Sequence, residues 1–169
     1  MRTINISTPP TDYSGWVECF EKISDGIPDD DFNQIISQSS CPEYRGIKAY
    51  LHPQLEKAVN HIINSCLSDL RRDVLNCFER QEIMGLHLVF IRFSRKINKC
   101  MFFVYIPFLD KAFKNDLYIE TKRVINDFWF GLINSIQNEA NHNSLIQEEL
   151  HIIKRIHLFE NIEINNGVN

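Results

Sequence analysis

The feature that most constrains the fold is the stretch "PQLEKAVNHIINSCLSDLRRDVLNCFERQ", residues 53–81. In it Leu55, Val59, Ile62, Ile63, Cys66, Leu67, Leu70, Val74, Cys77 and Phe78 recur every three or four residues. About seven turns of that spacing give a broad apolar stripe on a single long helix. Pro53 stands where a first-turn proline is welcome. A helix of this length must be buried along one side by the rest of the chain. The 169 residues suffice for one domain, residues 1–169, with a substantial core. The content of 44% hydrophobic and 24% charged residues is that of a globular chain and excludes the disordered and disulfide-framework classes.

Before the long helix, "INIS" (4–7) alternates as a short strand does, and "TPPT" interrupts it. A first helix follows, with Asp12 as N-cap, Trp16, Val17, Phe20 and Ile23 at helical spacing, and Gly26 as its stop. Pro28 is read as opening a second helix whose apolar face is Phe32, Ile35 and Ile36. From Met84 the period changes to two: "LHLVFIRF" and "CMFFVYIPF" read as strands, joined by the polar "SRKINK" as a hairpin. Asp116 is placed as the cap of another long helix through residue 140, and Gly131 within it is read as permitting a close packing contact. "LIQEELHIIKRI" makes a shorter helix, and "HLFENIEI" (157–164) reads as a returning edge strand. The expectation is an α+β fold: a small, mainly antiparallel sheet around a central hairpin, packed by two long amphipathic helices and shorter ones.

Chemical motifs are few. The six glycines form neither GxGxxG nor GxxxxGK[ST], so standard nucleotide loops are excluded. The histidines show no HxxxH or HExxH spacing, and the five cysteines form no CxxC, so no zinc pattern is present and the thiols read as reduced core fillers. No nucleophile motif such as GxSxG occurs. No catalytic residue, metal ligand or cofactor is assigned. A metal-independent nuclease built from His87, Arg92, Lys96 and Tyr105 is an open alternative, although strand parity would turn His87 and Arg92 to opposite faces. The first residues, "MRTINISTPP", lack the apolar segment of a signal peptide, and no run is long enough for a membrane span, which makes the cytoplasm the default location.

Charge is unevenly spread. Residues 12–31 carry seven acids against Lys22, and residues 71–99 carry seven Arg or Lys against three acids. The net charge of −4 argues against nucleic acid as the direct partner. Within the acidic segment, "GIPDDDFNQII" sets Asp29, Asp30 and Asp31 in a row. Acids at a helix start are favoured by the unsatisfied amides and the helix dipole, which accounts for one or two of them. Asp29 and Asp31 would hold a hard cation only with further oxygen ligands from elsewhere. Protein recognition is the remaining reading: an acidic surface of Asp29, Asp30, Asp31, Glu18 and Glu21 beside Trp16 as an aromatic anchor, set against the plain one of a core tryptophan and solvated acids.

In general character "GWVECFEKISDGIPDDDFNQIIS", a short helical pair with an acidic turn, resembles the immunity proteins of bacterial contact-dependent growth inhibition and related polymorphic toxin systems. That resemblance implies a non-enzymatic protein whose partner is a cognate toxin, often a nuclease, neutralised by covering its active site. The competing expectation is a dimeric secretion chaperone for an effector protein.

Overall fold

A computed structural model describes residues 2–40, 47–140 and 143–159. In chain order the elements are β1 (Arg2–Ile4), α1 (Tyr13–Asp25), β2 (Gly26–Pro28), α2 (Phe32–Ser37), α3 (Ile47–Glu79), α4 (Leu86–Cys100), a 3-10 turn (Phe102–Tyr105), α5 (Lys111–Glu139) and α6 (Ser144–Ile153). Of the described residues 74% are helical, and their one sheet is two short parallel strands. The expected α+β architecture with an antiparallel sheet around a central hairpin is therefore overturned.

The error lies at residues 84–107. Leu86, Val89, Phe90, Phe93, Ile97 and Cys100 are all buried, and their spacing is that of one helix face. A strand would turn Leu88 and Phe90 to one face, yet Leu88 is half exposed and Phe90 wholly buried. "SRKINK" is not a turn: Ser94 and Ile97 face the core while Arg95 faces water. The following "MFFV" is buried on every side, but as a 3-10 turn rather than a strand.

Several local expectations hold. Asp12 caps α1 by accepting the Gly15 amide at 2.7 Å, and α1 buries Trp16, Cys19, Phe20 and Ile23 before ending at Gly26. Gly26 then begins β2, which pairs in parallel with β1 in the register Arg2 with Gly26, Thr3 with Ile27 and Ile4 with Pro28. The Ile4 carbonyl accepts one further bond, from the Asp29 amide at 3.1 Å. Pro28 thus closes a strand instead of opening a helix, and α2 begins at Phe32.

The long helix α3 is present and longer than expected. Pro53 consequently sits inside it rather than in its first turn, and offers the Ala49 carbonyl no N–H four residues on. The stripe from Leu51 to Val74 is buried against α1, α4 and α5. Helix α5 starts at Lys111, with Asp110 rather than Asp116 in the N-cap position. A Cβ added at Gly131 would meet nothing within 4 Å, so the close contact expected there does not exist among the described residues. Asn143 caps α6, accepting from the Leu145 and Ile146 amides. Residues 157–159 form no strand, and the rest of the expected edge strand, 160–164, lies outside the described residues.

Edge-to-face aromatic pairs tie the layers: Trp16 with Phe108 at 4.9 Å, Phe32 with Phe102 at 5.4 Å and Phe90 with Trp129 at 4.9 Å. No helix among the described residues is long and apolar enough to cross a membrane.

Candidate functional site

The buried stripe of α4 fixes what its opposite side presents. At 100° per residue Leu88, Arg92, Arg95 and Lys99 fall in one row along the outward face. The turn after β2 brings Asp29, Asp30 and Asn33 to the C-terminal half of that row. Together with Arg95, Asn98, Lys99 and Tyr105 they line a cleft of about 490 Å³. The acidic segment and the basic middle of the sequence therefore meet here.

The contacts in the cleft are partial. Lys99 Nζ lies 2.6 Å from Asp30 Oδ1, yet the Asp30 side chain is 90% exposed. A pair so open to water contributes only about 0–1 kcal/mol to folding, so it is easily exchanged for another partner. Asp29 Oδ1 is buried with no hydrogen-bond partner among the described residues. An unmatched polar atom of that kind is costly unless something else meets it. Arg95 is exposed and carries no hydrogen bond or ion pair among the described residues. Asn98 anchors one wall, its amide donating to the Ser94 carbonyl at 2.9 Å and the Leu158 carbonyl at 3.3 Å.

The acids named from sequence are divided rather than pooled. Asp29 and Asp30 line this cleft; Glu18 lines another, of about 290 Å³, between α1 and residues 6–12. Glu18 also pairs with Lys22 one turn along α1 at 2.6 Å. Glu21 is exposed on α1, and Asp31 is exposed in the N-cap position of α2 without making a capping bond. Trp16 is wholly buried, its indole N–H donating to the Ser40 carbonyl at 3.3 Å, so it is a core residue and not a surface anchor. No group of three or more His, Cys, Asp or Glu that could hold a metal occurs among the described residues.

A second polar constellation escaped sequence reading. Glu149 of α6 reaches the N-terminus of α4, where Gly85 takes a positive φ and supplies no capping side chain. Its carboxylate accepts the Gly85 amide at 3.1 Å, the His87 amide at 2.8 Å and lies 2.8 Å from His87 Nδ1. Burial pushes this carboxyl up, but the two amides and the imidazole outweigh it and hold the group below its ordinary value. Nothing local in "QEEL" signals a cap for a helix more than sixty residues earlier. The hairpin expected to carry His87, Arg92 and Lys96 is instead α4, on which Arg92 stands about 140° and Lys96 about 180° around the helix from His87.

No family model, curated protein or solved structure matches this chain.

Proposed function

We propose that this is a non-enzymatic protein-binding protein, and that it grips one partner through the cleft between the Asp29–Asp30 turn and the outward row of α4. The observation that carries the reading is the uncommitted charge there. Among the described residues Arg95 has no partner and Asp29 Oδ1 is buried unmatched, and the Asp30–Lys99 pair is open to exchange. A surface of interleaved signs favours orientation and specificity for a partner with the complementary pattern. The cleft's polar lining and paired charges offer less to a nucleic-acid backbone, whose recognition needs an excess of cations.

Within that reading, the resemblance of residues 15–37 to immunity proteins supports the narrower proposal that the partner is a cognate toxin of the nuclease type. The acidic turn would occupy its phosphate-binding groove while Arg95 answers an acid at the rim. The test is protection in cells. A toxin domain encoded beside this chain is expressed with the wild type, Asp30→Lys or Arg95→Glu. Wild type is expected to protect, and both variants, folded by their melting curves, are expected to lose protection and affinity. Full protection by both would reject the cleft as the binding site. Failure of the wild type to bind that domain would reject the toxin reading.

The half-exposed or more open Ile119 and Phe130 on one side of α5 favour the secretion-chaperone alternative, since apolar surface is what holds an unfolded segment. That alternative requires a dimer, which light scattering would detect.

A further inference from the structure

Among the described residues the interior holds a close pair of thiols that partner binding does not use. Cys66 of α3 and Cys100 of α4 are buried free thiols whose sulfurs stand 3.9 Å apart. Beside Cys66 is a small pocket of about 40 Å³, lined also by Asp69, Asp73, Phe93, Lys96 and Arg92. One water needs roughly 10–15 Å³ on this measure, so the space admits a molecule of a few heavy atoms and excludes a protein oxidant or a bulky disulfide. The pocket reaches Cys66 and not Cys100, which gives the two sulfurs different access. Electrostatics separate them in the same sense. The hydrogen bond with Cys100 holds the Cys66 thiol below its ordinary value despite burial, with Lys96 adding to the effect, and the same bond together with burial pushes Cys100 well up. Asp69 opposes this weakly and is itself engaged by Arg72 at 2.6 Å.

We propose that Cys66 and Cys100 form a redox-active dithiol in which a small hydroperoxide oxidises Cys66 and Cys100 resolves the product to a disulfide joining α3 to α4. In the first step the Cys66 thiolate attacks one peroxide oxygen. The O–O bond breaks, hydroxide leaves and takes a proton to become water, and Cys66 becomes a sulfenic acid. In the second, the Cys100 sulfur attacks the Cys66 sulfur and the S–O bond breaks. The hydroxyl departs with the Cys100 proton as a second water. Two thiols lose two electrons in total, and hydrogen peroxide is reduced to two waters. The sulfurs must close from 3.9 Å to about 2.05 Å, a movement shared between two side chains on adjacent helices.

The test is a titration of the folded wild-type chain with hydrogen peroxide, followed by thiol counting in denaturant and peptide mapping. The chain has five cysteines. The expected result is the loss of two free thiols, one peptide linking Cys66 to Cys100 within a single chain, and full reversal by a dithiol reductant. Cys100→Ala is expected to stop at a Cys66 sulfenic acid that a cyclic 1,3-dione traps. An unchanged thiol count after peroxide, or a bond mapping to any other pair, would overturn the proposal. Because mapping is done on the wild type, poor folding of a cysteine variant leaves the result decisive.

Discussion

Helix α4 meets a carboxylate at each end, and the two are used in opposite ways. At its N-terminus Glu149 is nearly buried and fully committed, matched by two backbone amides and an imidazole. Near its C-terminus Asp30 is almost entirely in water with a single lysine contact, and neighbouring Asp29 keeps a buried oxygen unmatched. The first arrangement substitutes for a missing helix cap and holds α6 to α4. The second contributes little to holding anything together. Equal formal charge therefore says nothing of role; what separates structure from recognition is how many of a carboxylate's acceptor sites the fold has already filled.

The contrast can be broken most directly at Glu149. Glu149→Ala leaves two part-buried amides unanswered and is expected to lower unfolding free energy by about 1–2 kcal/mol in a urea titration. A loss below about 0.5 kcal/mol would show that the cap is ornamental. The same site sets an acid dependence. The folded-state value of Glu149 lies below its ordinary one, so its stabilisation is complete above the ordinary glutamate value of 4.5 and is lost as pH falls through the folded value. Melting midpoints between neutral and acid pH should fall less steeply in Glu149→Gln than in wild type, and parallel curves would contradict the assignment.

At the other end the effects should move from stability to affinity. Arg95→Glu is expected to weaken partner binding about tenfold, or about 1.4 kcal/mol, by calorimetry, with stability unchanged within about 0.5 kcal/mol. The smallest change sharpens the contrast further. Exchanging Asp30 and Lys99 for each other's residue types preserves an ion pair, so stability should shift by no more than about 0.5–1 kcal/mol. The outward charge pattern is inverted, however, and binding should still fall. A swap that leaves binding intact would make the pair structural after all.

Legibility in the sequence tracked how local the cause was. The Asp12 cap, the Gly26 stop and the α3 stripe each depend on residues within a few turns, and each was readable. Helix α4 was misread because "LHLVFIRF" alternates over a short window with β-branched and aromatic residues. The helical spacing from Leu86 through Ile97 to Cys100 emerges only when the window runs across "SRKINK", whose charges are the outer face rather than a turn. That error also hid the basic row. The site combined residues from a turn and a helix about seventy positions apart, and the Lys99–Asp30 contact depends on packing that no local pattern encodes. Acidic sequence neighbours make Trp16 look like a surface anchor, but along a helix those neighbours point elsewhere, and the ring belongs to the core.

The parallel pairing of β1 with β2 carries a practical consequence for all of these measurements. The Ile4 carbonyl holds the Asp29 amide, so the opening strand is the backstop of the turn that presents Asp29 and Asp30. A bulky fusion attached just ahead of Arg2 would stand beside that strand, and through it beside the turn. Affinities measured by that route should therefore be compared with those of the unfused chain. A cysteine-free handle on the outer side of α5, at the open Gly131 position, leaves the turn untouched.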